Sequence, residues 1–225
     1  MKHNNIYSLV VTLFIGLNLN GQAIFVNDNA IVTIESQALL YVDGDLQNIN
    51  NGTIVNNGTI DLKGDLENSA TLSSASQSTL RLSGSQNSEI LSGNATIANL
   101  EANKETGSLI SLNDDLTISE GVQFITSDNR LLCNGNSLIF LAGALFDNPG
   151  PTNYVVTDLA NSKLTRKNLA DGEQFHFPVG ADVSSFNPVD VTAGTGDEVA
   201  DRESETGRMA DGEAETDSDA IKDTM

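Results

Sequence analysis

Short alternating runs of apolar and polar residues dominate the chain, and one such run returns three times at a fixed spacing. It reads Leu40-Tyr41-Val42-Asp43-Gly44-Asp45-Leu46, then Ile60-Asp61-Leu62-Lys63-Gly64-Asp65-Leu66, then Leu80-Arg81-Leu82-Ser83-Gly84-Ser85, with the glycines 20 residues apart. Alternation with period two makes each run a short strand with one buried face. A repeat of this length, built from short strands and turn residues, predicts a solenoid. Leu40, Ile60 and Leu80 then form one interior column and Val42, Leu62 and Leu82 the next, while Tyr41, Asp61 and Arg81 point outward. The same register sets Asp61 beside Arg81 and Asp43 beside Lys63. Exposed ion pairs contribute only about 0–1 kcal/mol each, so they select the register more than they hold the fold.

Between these strands lie Asn51-Gly52-Thr53-Ile54 and Asn57-Gly58-Thr59-Ile60. Asn-Gly suits a tight turn because both residues accept positive φ. Such pairs also occur in hairpins, so an antiparallel all-β domain is the alternative architecture. The constant spacing favours an all-β fold with a parallel β-helix, a β-solenoid of about 20-residue coils.

In chain order, residues 1–23 read as a secretory signal peptide: Lys2 and His3, a largely apolar Ile6 to Leu19, then small residues at Gly21 and Ala23. The apolar stretch is too short and too interrupted to span a bilayer comfortably, and no membrane span is expected in the mature chain. Residues 24–147 read as solenoid, opened by a capping coil (Ile24 to Val26, Ile31 to Ile34) and continued at a looser spacing of 20–24 residues to Leu141. The breaker cluster Gly143 to Pro151 predicts a boundary. Beyond it, residues 152–196 read as the opening of an antiparallel β-sandwich, with strands at Tyr154 to Thr157, Lys163 to Lys167, Gln174 to Phe177 and Phe186 to Thr192. Residues 197–225 carry 11 acidic and three basic side chains and few apolar ones, the composition of a disordered tail.

A thin interior of Leu, Ile, Val and Ala explains why the chain needs no Trp and only 5% aromatic residues. The net charge of −20 excludes nucleic acid as a partner, because nothing here neutralises a row of phosphates. Cys133 is the only cysteine, so no intrachain disulfide forms, and its strand-end setting suits a small buried residue. A catalytic thiol would need a histidine, and nothing local links Cys133 to His176.

Candidate chemistry is sparse. Asp45 and Asp65 occupy the same rung position with Asp43 nearby, and carboxylates ~5 Å apart make a candidate Ca²⁺ site, set against solvated turn residues. Asp114 and Asp115 are adjacent on a strand, point to opposite faces and cannot chelate together. Asn51, Asn57 and Asn94 each begin Asn-x-Thr, for which turn geometry is a sufficient account. No cofactor and no catalytic residue is expected.

The run Tyr41 to Leu46, the Asn-Gly-Thr-Ile pairs and Gly93-Asn94-Ala95-Thr96-Ile97-Ala98-Asn99-Leu100 resemble large secreted and surface proteins of Bacteroidetes-type bacteria. So does the series Asn153 to Asp158, Lys163 to Lys167 and Phe177-Pro178-Val179-Gly180. The resemblance covers roughly residues 24–196. It implies a β-helical, adhesin-like protein associated with type IX secretion and supplies no catalytic residues. The sorting domain with which such chains commonly end is not recognisable in the acidic tail. The expected function is therefore an exported structural or adhesion protein of the extracellular space or outer-membrane surface, a β-solenoid stalk presenting the β-sandwich module, with extracellular polysaccharide or matrix components as partners. The alternatives are a carbohydrate-active β-helix of lyase or hydrolase type and a truncated gene product.

Overall fold

The computed structural model describes residues 23–194, and every regular element among them is a β-strand. The first coil contains β1 (Ala23–Asp28), β2 (Ile31–Ile34) and β3 (Leu39–Val42). The second contains β4 (Gly44–Ile49), β5 (Thr53–Asn56) and β6 (Thr59–Leu62), and the third β7 (Leu66–Asn68), β8 (Thr71–Ser74) and β9 (Thr79–Gly84). The next two coils have a short and a long strand each: β10 (Ser88–Leu91) with β11 (Thr96–Lys104), and β12 (Leu109–Leu112) with β13 (Leu116–Phe124). Three strands return in β14 (Arg130–Leu132), β15 (Ser137–Phe140) and β16 (Leu145–Asp147), followed by β17 (Tyr154–Val156) and β18 (Lys163–Arg166). The chain then makes β19 (Gln174–Phe177), β20 (Val179–Gly180) and β21 (Val189–Thr192). The expected leader up to residue 22 and the expected acidic tail lie outside the described residues.

Stacking is parallel throughout the solenoid. One wall runs β1-β4-β7-β10-β12-β14-β17-β20, and a second runs from β3 through β6, β9 and the second halves of β11 and β13 to β16. The third wall, β2-β5-β8, is continued by the first halves of β11 and β13 and then by β15 and β18. β11 bends where its register against β13 shifts between Ile97 and Asn99, so one long strand serves two sides of the coil. The interior column foreseen from the repeat is Leu40-Ile60-Leu80 and extends through Leu100 and Val122 to Phe146. Its neighbour runs Val42-Leu62-Leu82-Ala102-Phe124. Leu62, Leu82 and Leu100 are completely buried, whereas their outward neighbours are polar.

A second, polar column lies inside. Asn27, Asn48 and Asn68 are buried in register, and each amide donates to the next oxygen: Asn27 Nδ2 to Asn48 Oδ1 at 2.8 Å, Asn48 Nδ2 to Asn68 Oδ1 at 2.7 Å. Asn68 Nδ2 ends on the Ser92 carbonyl at 2.6 Å. The ladder explains the Asn-Gly turn differently from a simple turn rule. Positive φ falls on Asn50 (56°), and Gly52 is needed because a Cβ there would meet Asn48 Oδ1 at 2.4 Å and the Asn27 carbonyl at 2.6 Å. A Gly52→Ala variant is therefore expected to lose about 2–3 kcal/mol in urea denaturation, since neither contact can yield without breaking the ladder.

The stack does not stop at the breaker cluster. β17 pairs in parallel with β14, β18 with β15 and β20 with β17, so the Tyr154 and Lys163 strands, expected to open a sandwich, add to the solenoid. Pro149 and Pro151 sit in the corner between β16 and β17, where no ladder N–H is required. The antiparallel part of the architecture is the pair β19 and β21. It closes the C-terminal end with aromatic rings: Phe175 and Phe177 are buried, 4.7 Å apart, and Phe175 packs 5.7 Å from Phe140. Arg166 is buried beneath them, its Nη2 2.7 Å from Glu173 Oε1 and its guanidinium over the Phe175 ring.

Candidate functional site

The three candidate metal ligands separate by corner and wall. Asp43 forms the turn between β3 and β4 and pairs with Lys63 Nζ at 2.9 Å. Tyr41, whose ring lies 5.6 Å from that nitrogen, and Asp43 hold the ammonium above its ordinary pKa. Asp45 and Asp65 share an outward column, but their carboxylates bind backbone. Asp45 Oδ1 accepts the Asp65 N–H at 2.8 Å, and Asp65 Oδ1 accepts the Glu89 N–H at 2.8 Å. Each aspartate thereby locks the following rung. No group of three or more His, Cys, Asp or Glu side chains is placed to hold a metal ion among the described residues. Asp114 does similar work one corner away, accepting the N–H groups of Ser92 at 2.7 Å and Gly93 at 2.6 Å, while Asp115 accepts the Ser137 N–H at 2.7 Å.

An open cleft of about 440 Å³ lies beside Asp65. It arises from unequal turns at one corner. Asp43 alone joins β3 to β4, three residues join β6 to β7 and β9 to β10, and four join β11 to β12. The turns carrying Ser85, Gln86 and Asn87, and Thr106, Gly107 and Ser108, line the cleft above Asp65. They brace one another, with Ser108 Oγ donating to the Ser85 carbonyl at 2.7 Å and the Leu109 N–H to Asn87 Oδ1 at 2.9 Å. Burial is the main cause of a raised Asp65 pKa, and the Glu89 N–H partly offsets it. The lining offers hydroxyls, amides and one carboxylate, a surface for hydrogen bonding to polyhydroxylated ligands. Glycoside hydrolysis uses two carboxylates, and the lining contains one.

Behind the cleft sits a group that the sequence did not single out. Lys104 is completely buried, and its Nζ donates to the Ser83 carbonyl at 2.6 Å, Ser88 Oγ at 2.8 Å and the Lys63 carbonyl at 3.1 Å. It pairs in register with Gly84, where an added Cβ would meet the Lys63 stem at 3.1 Å. Desolvation brings its pKa down to about 8, against the pull of Asp65 and Asp61. A lysine amine 2.8 Å from a serine hydroxyl is the geometry of a Ser-Lys nucleophile. Here Ser88 is also completely buried and gives its proton to the Gly64 carbonyl at 2.6 Å, so no substrate carbonyl reaches it. The pair ties three rungs together. A lysine at an inward strand position was the available signal.

On β9, the strand that leads into this corner, Arg81 lies between Glu101 (2.5 Å) and Asp61 (3.5 Å), one rung to either side. Cys133 is completely buried, its thiol pushed up to about 12 by desolvation and directed at the Lys163 carbonyl. His176 instead meets Asp190 across the β19–β21 pair at 2.8 Å. Asn51 Nδ2 donates to Asn29 Oδ1, and Asn94 takes a positive φ, so both serve their corners. Comparison with protein-family models, curated proteins and solved structures gives no match to this chain.

Proposed function

We propose that this chain is an exported structural or adhesion protein of the extracellular space or bacterial outer-membrane surface. In this reading the solenoid is a stalk whose polar walls contact polysaccharide or matrix. The observation that carries it is the alternation of buried residues with outward polar ones along β4, β7 and β10, with Asp45, Gln47, Glu67 and Glu89 outward, within a wall of eight parallel strands. Each rung adds ~4.8 Å of length without enlarging the core, which suits extension and presentation. The apolar leader and the resemblance to Bacteroidetes-type surface proteins support export, with type IX secretion as the proposed route. The test is the intact mass of the native protein from separated surface, periplasmic and culture fractions, with glycan binding measured on the fraction that holds it. Recovery only from the cytoplasm, with residues 1–22 retained, refutes the reading.

The cleft beside Asp65 favours a second reading, a carbohydrate-active β-helix. It predicts a calcium-dependent activity on acidic polysaccharide that disappears in both Asp45→Ala and Asp65→Ala. Equal turnover by wild type and variants removes it.

A further inference from the structure

The two ends of the solenoid are built differently. The C-terminal end is covered by the β19–β21 pair with its phenylalanines. At the other end, β1, β2 and β3 are the edge strands of three walls, and no strand lies beyond them among the described residues. Thr33 and the terminal Asp28 apart, the outward strand side chains of this first coil are apolar: Ile24 is 55% exposed, Ile31 77% and Leu39 59%, with Val26 and Tyr41 about half exposed. One rung further on, the same columns hold Asp45, Thr53, Thr59, Gln47 and Asp61. The inward residues Phe25, Val32 and Leu40 are only partly buried. The asparagine ladder also stops here, with Asn27 Oδ1 buried and without a donor among the described residues. Natural sheet edges are blunted by charge, proline or a covering element, and terminal coils of solenoids have polar outer faces. In the first coil Asp28 and Glu35 supply charge only at strand ends, and the positions of Ile24, Ile31 and Leu39 carry none of these devices.

We propose that this end pairs with the same end of a second copy, through β1, β2 and β3 with Ile24, Ile31 and Leu39 around the contact. The inference rests on removal of residues 1–22, as the export reading requires, which uncovers the edge. Three features select a second copy. Among the described residues the C-terminal end is closed and one end is open, so the contact is isologous and stops at a dimer. Charge points the same way: side-by-side association would bring together the walls of a chain with net charge −20, whereas end-to-end association joins the coil with the most apolar exterior. The size is also adequate. Edges of six, four and four residues at ~3.3 Å per residue, ~10 Å deep, hide on the order of 450 Å² per copy. That lies near the lower limit of specific interfaces, so the dimer is expected to have a micromolar rather than nanomolar Kd.

The test uses the full chain expressed with its leader, purified from the exported fraction, its N-terminus read by intact mass and its association followed by sedimentation velocity from micromolar to hundreds of micromolar. The expected result is a processed chain in monomer–dimer exchange, weakened about tenfold or more by Ile31→Asp and independently by Ile24→Asp. Thr53→Asp, one rung inward in the Ile31 column, leaves it unchanged. A processed chain that stays monomeric, or a dimer indifferent to both substitutions, overturns the proposal and leaves export standing. A chain that keeps residues 1–22 and is monomeric overturns both, with those residues as the covering element. A chain that keeps them and still forms an Ile31-sensitive dimer sinks export alone.

Discussion

An Asn48→Ala variant is expected to lose about 3 kcal/mol of stability or more, the largest effect of any single polar truncation in the stack. Asn48 is completely buried and sits in the middle of the ladder, accepting from Asn27 and donating to Asn68 Oδ1 and, at 2.9 Å, to the Thr71 carbonyl. Truncation leaves the Asn68 oxygen and the Thr71 carbonyl without that donor. Each buried polar group left unpaired costs about 1–3 kcal/mol, and the vacated volume adds a cavity penalty. Asn27→Ala is expected to lose less, because Asn27 ends the ladder: it makes one of the two ladder bonds, and its own Oδ1 is buried without a donor among the described residues. Urea denaturation of wild type, Asn48→Ala and Asn27→Ala tests the ordering. Equal losses for the two variants would show that the ladder is not the cooperative element described.

The second large effect is a pH dependence carried by Lys104. Its folded pKa of about 8 lies below the ordinary value for lysine, so between these two values the unfolded chain binds the additional proton. Stability from this group therefore rises with pH from about 8 to about 10.4, by on the order of 3 kcal/mol in total. The acidic groups acting on it are Asp65, Asp61 and Glu105. Cys133 acts in the opposite direction. Its thiol keeps a proton to about 12 in the fold but loses it near 8.5 when unfolded, so its contribution falls as pH rises. The two largely cancel in wild type between about 9 and 10.4, which makes the raw profile a poor test. The difference between wild type and Lys104→Met removes the Cys133 contribution. Wild type is expected to gain on the variant by on the order of 3 kcal/mol from pH 7.5 to 10.5. Parallel profiles would mean that the amine is solvated.

Much of this architecture is legible in the residue pattern because strand periodicity and stacking register are local statements. Leu62 between Asp61 and Lys63 must turn inward if they turn outward, and a spacing of 20 fixes which residues share a column. The Asp43–Lys63 pair and the placement of Arg81 beside Asp61 follow directly from that register. The Gly143 to Pro151 cluster misleads for a physical reason: proline and glycine mark a turn equally well at a domain boundary and at a coil corner. Only the pairing of β17 with β14 tells the two apart.

The candidate site was less legible. Asp45 and Asp65 are in the expected column, but a sequence does not reveal whether a carboxylate turns to solvent or back to the next rung's N–H. The cleft depends on the relative length of three turns at one corner, a comparison with no meaning until the coils are stacked. Lys104 reads as an unremarkable charge among solvated ones, yet three oxygens of neighbouring rungs, from Lys63, Ser83 and Ser88, receive its ammonium.

By itself, then, the sequence determined the strand faces, the coil length, the parallel stacking that a fixed repeat imposes and the strongly negative net charge. The tertiary structure decided what long-range neighbours supply: which asparagines bury themselves as a ladder, where a lysine is desolvated, which end the phenylalanines close and which end stays apolar. Those properties depend on residues some 20 or more positions apart meeting across rungs, and only the completed stack brings them within hydrogen-bonding distance.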